Sequence, residues 1–115
     1  MSISNNIESQ IRKGVLEYCI LSVIKDKKAY ASDIIKKLKE AELIVVEGTL
    51  YPLLTRLKKS ELLSYEWEES LQGPPRKYYH LTKDGEQFQK ELHKYWEGLV
   101  YSVSKITNAK NNNHR

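Results

Sequence analysis

Apolar residues recur at helical spacing from the start of the chain. Ile7, Ile11, Val15, Tyr18, Cys19 and Ile24 mark one face of a first helix, with Leu16, Ile20, Leu21 and Val23 beside them. Asn5 followed by Glu8 has the spacing of a capping box that opens it, and Asp26-Lys27-Lys28 ends it. An apolar surface wider than one stripe predicts a helix buried between two partners. Gly14 falls in its middle, where glycine costs about 1 kcal/mol against alanine; close approach of another helix is one reason to tolerate it. Ile34, Ile35 and Leu38 mark the buried face of a second helix, with Lys36, Lys37 and Lys39 outward and Ser32 or Asp33 serving its first turn. Leu43-Ile44-Val45-Val46 reads as extended. Leu50, Leu53, Leu54 and Leu57 then give the i, i+3, i+4, i+7 pattern of a third helix. If Thr49 caps it, Pro52 lies in the first turn and loses no hydrogen bond; an earlier start leaves one bond missing.

The period changes at Leu63. Leu63-Ser64-Tyr65-Glu66-Trp67-Glu68 alternates as a strand with one buried face, and Arg76-Lys77-Tyr78-Tyr79-His80-Leu81 forms a second. The turn-rich run Ser70-Leu71-Gln72-Gly73-Pro74-Pro75 joins them as an antiparallel hairpin. Glu66 and Glu68 are placed to pair across the ladder with Arg76, Tyr78 or His80. Thr82 is a good cap for a last helix carrying Phe88, Leu92, Tyr95, Trp96, Leu99, Val100, Val103 and Ile106 on one stripe. At 1.5 Å per residue, roughly 25 residues reach about 37 Å, longer than the rest of the domain is wide. Phe88 and Leu92 read as core; the excess stripe needs a cover, for which a second copy of the chain is the simplest source.

The result is a mainly α chain with a small β-hairpin. Helix, helix, helix, hairpin and long helix in that order describe a winged helix-turn-helix followed by a C-terminal dimerisation helix. The expected division is 1–81 for the DNA-binding unit, 82–107 for the dimerisation helix and 108–115 for a tail without apolar pattern.

Composition narrows the function. A chain of 115 residues is one domain's worth. A net charge of +4 allows an anionic partner without demanding one. Eight Tyr and two Trp against one Phe favour surfaces both apolar and wet. Cys19 is the only cysteine, which excludes an intrachain disulfide and a cysteine-based zinc cluster and fits a reducing, cytoplasmic setting. The first residues lack a signal-peptide pattern, and the Val15–Ile24 run is too short to span a membrane. His80, His93 and His114 share no metal-ligand spacing. There is no Ser/His/Asp set, no phosphate-cradling glycine loop and no paired carboxylates, so neither enzyme activity nor a metal or cofactor is expected.

Two segments resemble the PadR family of transcriptional regulators. One is Gly48-Thr49-Leu50-Tyr51-Pro52-Leu53-Leu54, followed by Arg56-Leu57. The other is Pro75-Arg76-Lys77-Tyr78-Tyr79, followed by Leu81-Thr82 and Gly85. The similarity extends over roughly residues 10 to 100. It implies a dimeric, DNA-binding regulator, most often a repressor, whose third helix lies in the major groove and whose wing touches the backbone. It also implies a dimer made by the first and last helices. The short chain resembles the compact, multidrug-responsive subgroup, in which a last-helix tryptophan flanks a flat apolar pore; Trp96 falls at the matching place. The chain departs from the family pattern at Val46, where Ser or Thr often caps helix three. It departs again at Ser60-Glu61, where glycine is common, and at Pro74, where arginine often stands.

The expected site residues follow. Tyr30, Thr49, Tyr51, Arg56, Arg76, Lys77 and Tyr78 are the DNA-binding set, with Arg56 aimed at guanine and Tyr30 and Lys28 at phosphates. Because consecutive strand residues face opposite ways, Arg76 and Tyr78 share one wing face and Lys77 shares the other with Tyr79, which with Leu81 reads as core. Trp96, Tyr18, Glu17, Gly14 and Leu99 are the candidate contacts for a planar aromatic effector. Ile7, Ile11, Leu92, Tyr95, Trp96, Leu99 and Val103 are assigned to the dimer interface. The expected partner is double-stranded DNA, read by a homodimer as an inverted repeat. The alternative is a winged-helix module whose partner is another protein.

Overall fold

The computed structural model describes residues 11–12 and 14–108. Helix α1 spans Val15–Ile24, α2 Ala31–Glu40 and α3 Glu47–Lys59; strands β1 (Leu63–Ser70) and β2 (Gly73–Leu81) precede α4, Lys83–Thr107. The Asn5 cap, Ile7 and the tail from residue 109 onward lie outside the described residues. The order is that of a winged helix with a long helix appended.

The core sits where α1, α2, α3 and the hairpin meet. α1 contributes Leu16, Ile20, Leu21 and Ile24; α2 adds Ala31, Ile34 and Leu38; α3 adds Leu50, Leu54 and Leu57. Leu63, Tyr79 and Leu81 close it from the hairpin, and Val45 from the extended link. Gly14 is not in a helix middle. It precedes Val15, and nothing lies within 4 Å of where its Cβ would be.

At the start of α2, the Asp33 carboxylate accepts the Tyr30 backbone N–H at 3.0 Å. Asp33 rather than Ser32 therefore serves the first turn. Just before it, Ala29 and Tyr79 exchange two backbone hydrogen bonds, at 2.9 and 2.8 Å. This single residue gives the hairpin a third, one-rung partner and ties the wing to the α1–α2 connection.

α3 begins at Glu47, three residues earlier than a Thr49 cap would place it. Val46 is extended and offers no side-chain acceptor. Pro52 thus lies inside the helix, and Gly48 receives no i+4 hydrogen bond from it. The helix ends at Lys59, and Glu61, two residues on, takes a left-handed φ of 61°. Leu62 N–H then reaches back to Leu57 at 3.0 Å.

The hairpin is longer than its sequence suggests. The strands run on through Ser70 and from Gly73, leaving only Leu71-Gln72 as the turn. Pro74 and Pro75 are tolerated because each strand of a two-stranded sheet has a free edge, and the register shifts between Glu68 and Ser70. Glu66 faces Tyr78 and Glu68 faces Arg76 across the ladder. Neither pair is an ion pair, because Glu66 binds Lys28 and Arg76 turns to α2.

Thr82 caps α4 by accepting from Gly85 N–H at 2.9 Å. Its hydroxyl also donates to the Glu61 carbonyl at 2.7 Å, docking the new helix on the end of α3. Phe88 does not join the core, being 36% exposed; Gln89 is buried in its stead at 6% exposure. The Gln89 amide is satisfied by donating to the Ser22 hydroxyl, 3.1 Å away on α1, so burying it costs little. Leu92 packs partly against the core, as expected. Beyond it Tyr95, Leu99, Val100, Val103 and Ile106 remain exposed. Among the described residues, no helix is long and apolar enough to cross a membrane.

Candidate nucleic-acid interface

The start of α2, the start of α3 and the wing converge on one groove. It encloses about 440 Å³ and is lined by Tyr30, Ser32, Glu47, Tyr51, Trp67, Pro75, Arg76, Lys77 and Tyr79, among others. Four of the residues expected to meet DNA are therefore brought together: Tyr30, Tyr51, Arg76 and Lys77.

Arg76 is held rigidly there. Its guanidinium lies 3.8 Å from the Tyr30 ring centre and donates to the Ser32 hydroxyl at 2.8 Å. Tyr78, on the same wing face, stacks on Tyr30 with ring centres 4.7 Å apart. A stacked guanidinium with one donor engaged keeps its remaining N–H groups for an anion. The amino end of α2 adds its own partial positive charge to the spot.

Lys77 belongs to the opposite face, as the alternation requires. Its ammonium sits 4.6 Å from the Tyr65 ring centre and 5.5 Å from that of Trp67. Trp67 stands edge-on to Tyr65 and is 61% exposed. Beneath them Tyr79 is core, and burial pushes its phenol above the ordinary range.

Two of the residues expected to meet DNA are paired with carboxylates of their own chain. Arg56 is exposed but turned to α1: its Nε donates to Glu17 Oε2 at 2.7 Å, and a second nitrogen pairs with the same oxygen at 2.5 Å. Lys28 is bonded to Glu66 at 2.5 Å. That hydrogen bond and charge raise the Lys28 pKa and lower that of Glu66. Thr49 is exposed on the flank of α3 but does not line the groove.

Further residues, on the outer face of α3 and in the groove, are not among those expected. With Leu50, Leu54 and Leu57 inward, the outermost line of α3 is Gly48, Pro52, Thr55 and Lys59 at helical spacing. Glu47 and Trp67 line the groove, and Ser32 orients Arg76. Projecting α3 around its leucines would have revealed the first group. The others depend on contacts between distant segments.

A second cluster joins α1 to α4. Tyr18 and Trp96 have ring centres 6.3 Å apart, and the Tyr18 hydroxyl is hydrogen-bonded to His93 Nδ1 at 2.6 Å. His93 Nε2 lies 3.4 Å from Glu97. Trp96 is 37% exposed, and Leu99 lies exposed one turn on. Glu17 points instead to Arg56, and Gly14 lies at the start of α1, so neither is drawn into this cluster. Of the interface set, Ile11, Tyr95, Trp96, Leu99 and Val103 are exposed, while Leu92 is partly covered by its own chain.

Comparison with known proteins matches residues 20–94 to the model of the transcriptional regulator PadR-like family. Among solved structures, a PadR-like transcription factor from Bacteroides fragilis is 65% identical. The similarity covers 88% of this chain and 98% of that one, with a TM-score of 0.76. A PadR family transcriptional regulator from Eggerthella lenta is 31% identical over 91% and 92% of the two chains, with a TM-score of 0.81. One from Bacillus cereus is 37% identical over 86% and 97%, with a TM-score of 0.76. An uncharacterized protein of Lysinibacillus sphaericus is 31% identical over 93 residues, 78% of this chain and 85% of that protein.

Proposed function

The chain belongs to the transcriptional regulator PadR-like family, and we propose that it acts as a homodimeric repressor released from an inverted repeat by a planar aromatic effector. It is a DNA-binding regulator and not an enzyme. The observation that carries the DNA reading is the groove itself. Arg76, Lys77, Tyr30 and Tyr51 line a groove, and on its α2 side a phosphate strand meets the Arg76 cation and the amino end of that helix together. α3 then enters the major groove, and Leu71-Gln72 at the wing tip follows the neighbouring minor groove.

Residues 1–81 form the reader and 82–107 the dimerisation helix, with 108–115 a tail. The uncovered stripe of Tyr95, Leu99, Val103 and Ile106 is the seam between copies, working in the cytoplasm. Two α3 helices one helical turn apart then match the two half-sites. Trp96 and Tyr18 supply an aromatic wall at that seam for the effector. An effector seated there changes the spacing of the readers.

Fragments selected from random duplex DNA supply the operator, and titration at several salt concentrations tests the reading. Affinity is expected to fall linearly with salt on logarithmic axes, as released counterions require. Binding that is absent, or indifferent to salt, overturns it. For the effector, planar aromatics should quench tryptophan fluorescence in the wild type and much less in Trp96→Leu. Equal quenching in both removes Trp96 from the site.

A further inference from the structure

Glu47 is out of place in a groove built for an anion. It is the first residue of α3, exposed, and the one carboxylate among the residues lining the groove, beside Arg76 and Lys77. Neither cation pairs with it. Arg76 is engaged with Ser32 and Tyr30, and Lys77 with Tyr65 and Trp67. Glu47 forms no hydrogen bond or ion pair with the described residues.

A carboxylate at the amino end of α3 repels phosphate from the one place on that helix that would otherwise attract it. The tip of α3 is therefore unsuited to holding the backbone, which leaves base edges as the part of DNA from which it can accept. An ionised carboxylate only accepts hydrogen bonds. The donors on the major-groove edge are the amino groups of cytosine and adenine. Adenine sets its N7 acceptor beside its amino group, where it would oppose the second carboxylate oxygen, while cytosine has no acceptor at that edge of its ring.

Building on the DNA-binding reading above, we infer that Glu47 reads one cytosine in each half-site through its amino group, and so is a specificity-determining residue. The extended backbone of Val46 starts the helix at Glu47, so this side chain leads α3. An acid in the first turn also suits the helix dipole, but that role is blind to sequence.

The test is selection from randomised duplex DNA with the wild type, Glu47→Gln and Glu47→Ala, followed by anisotropy titrations on the selected site and its single-position variants. The wild type should enrich cytosine at one position per half-site and prefer it about tenfold over thymine or adenine there. Glu47→Gln should shift that position toward adenine, whose amino group and N7 match a glutamine amide. Glu47→Ala should keep binding and lose the preference at that position alone. Thermal unfolding of all three confirms that the exposed substitutions leave the fold intact. Identical base preferences in the three proteins overturn the inference while leaving DNA binding standing. A wild type that selects no sequence overturns the reading beneath it as well.

Discussion

The Arg76 guanidinium stacks on the Tyr30 ring at 3.8 Å, so the wing is fastened to the start of α2 by the residue best suited to hold a phosphate. The contact presents the cation in a fixed position before DNA arrives, which lowers the ordering cost of binding. Arg76→Ala should weaken operator binding about tenfold per half-site, as for loss of a charged hydrogen bond, and so about a hundredfold for the dimer. The loss should be uniform across sequences and flatten the salt slope by about 0.9 per half-site, about 1.8 for the dimer. Arg76→Lys should keep the slope and lose part of the affinity, because an ammonium neither stacks nor forks alike. Anisotropy titrations at three or more salt concentrations measure both quantities. An unchanged slope in Arg76→Ala would remove Arg76 from the phosphate contacts.

A Cβ on Gly85 would collide with the Leu62 backbone carbonyl, so glycine is required where α4 docks on the α3–β1 turn. Gly85→Ala should destabilise the protein by about 3 kcal/mol, the upper part of the overpacking range. That corresponds to a Tm roughly 10 °C lower. Glu61, in the same turn, holds a φ of 61° that glycine adopts freely. Relief of roughly 1–2 kcal/mol of left-handed strain, less the entropy that glycine loses, predicts that Glu61→Gly stabilises by about 0.5–1 kcal/mol. Differential scanning calorimetry separates the two signs.

The parts legible in the sequence are those written in local periods. Leu50, Leu54 and Leu57 define α3, and the alternation from Leu63 defines β1, because burial of one face repeats at fixed spacing. The Ala29–Tyr79 bridge could not be read that way, since a single residue has no period. Phe88 and Gln89 exchanged places because hydrophobicity alone ranks phenylalanine as core, whereas a distant Ser22 makes burial of the amide affordable. For the groove, the motifs led to Tyr51, Arg76 and Lys77, and the helix start led to Tyr30. The Arg56–Glu17 pair was not legible because the two residues are 39 positions apart. Glu47 and Trp67 were passed over because nothing local marks which wing face and which helix end share a groove.

Arg56, spent on Glu17, is expected to contribute little to sequence reading. An ion pair this exposed is worth at most about 1 kcal/mol. Arg56→Ala should therefore shift Tm by only a few degrees and leave every base preference unchanged. Glu17→Gln should free the guanidinium for phosphate and make the salt slope steeper by up to about 0.9 per half-site. The titrations used for Arg76 decide both. Loss of preference at a single guanine in Arg56→Ala would restore Arg56 as a base-reading residue.

The exposed stripe on α4 predicts the assembly state. Tyr95, Leu99, Val103 and Ile106 recur on one face and stay uncovered by their own chain, and a stripe of that width in water favours association. A second copy covers it with a matching stripe, the self-complementary arrangement of a two-fold dimer. Light scattering should give twice the 13.5 kDa of one chain. Leu99→Asp and Val103→Asp place charges in that seam and should return the mass to one chain. Lys94→Asp changes charge on the same helix but opposite the stripe, and should leave the mass at two. Operator affinity should drop with the dimer, since a single α3 holds only one half-site. If the two seam variants remain dimeric, the stripe is not the interface.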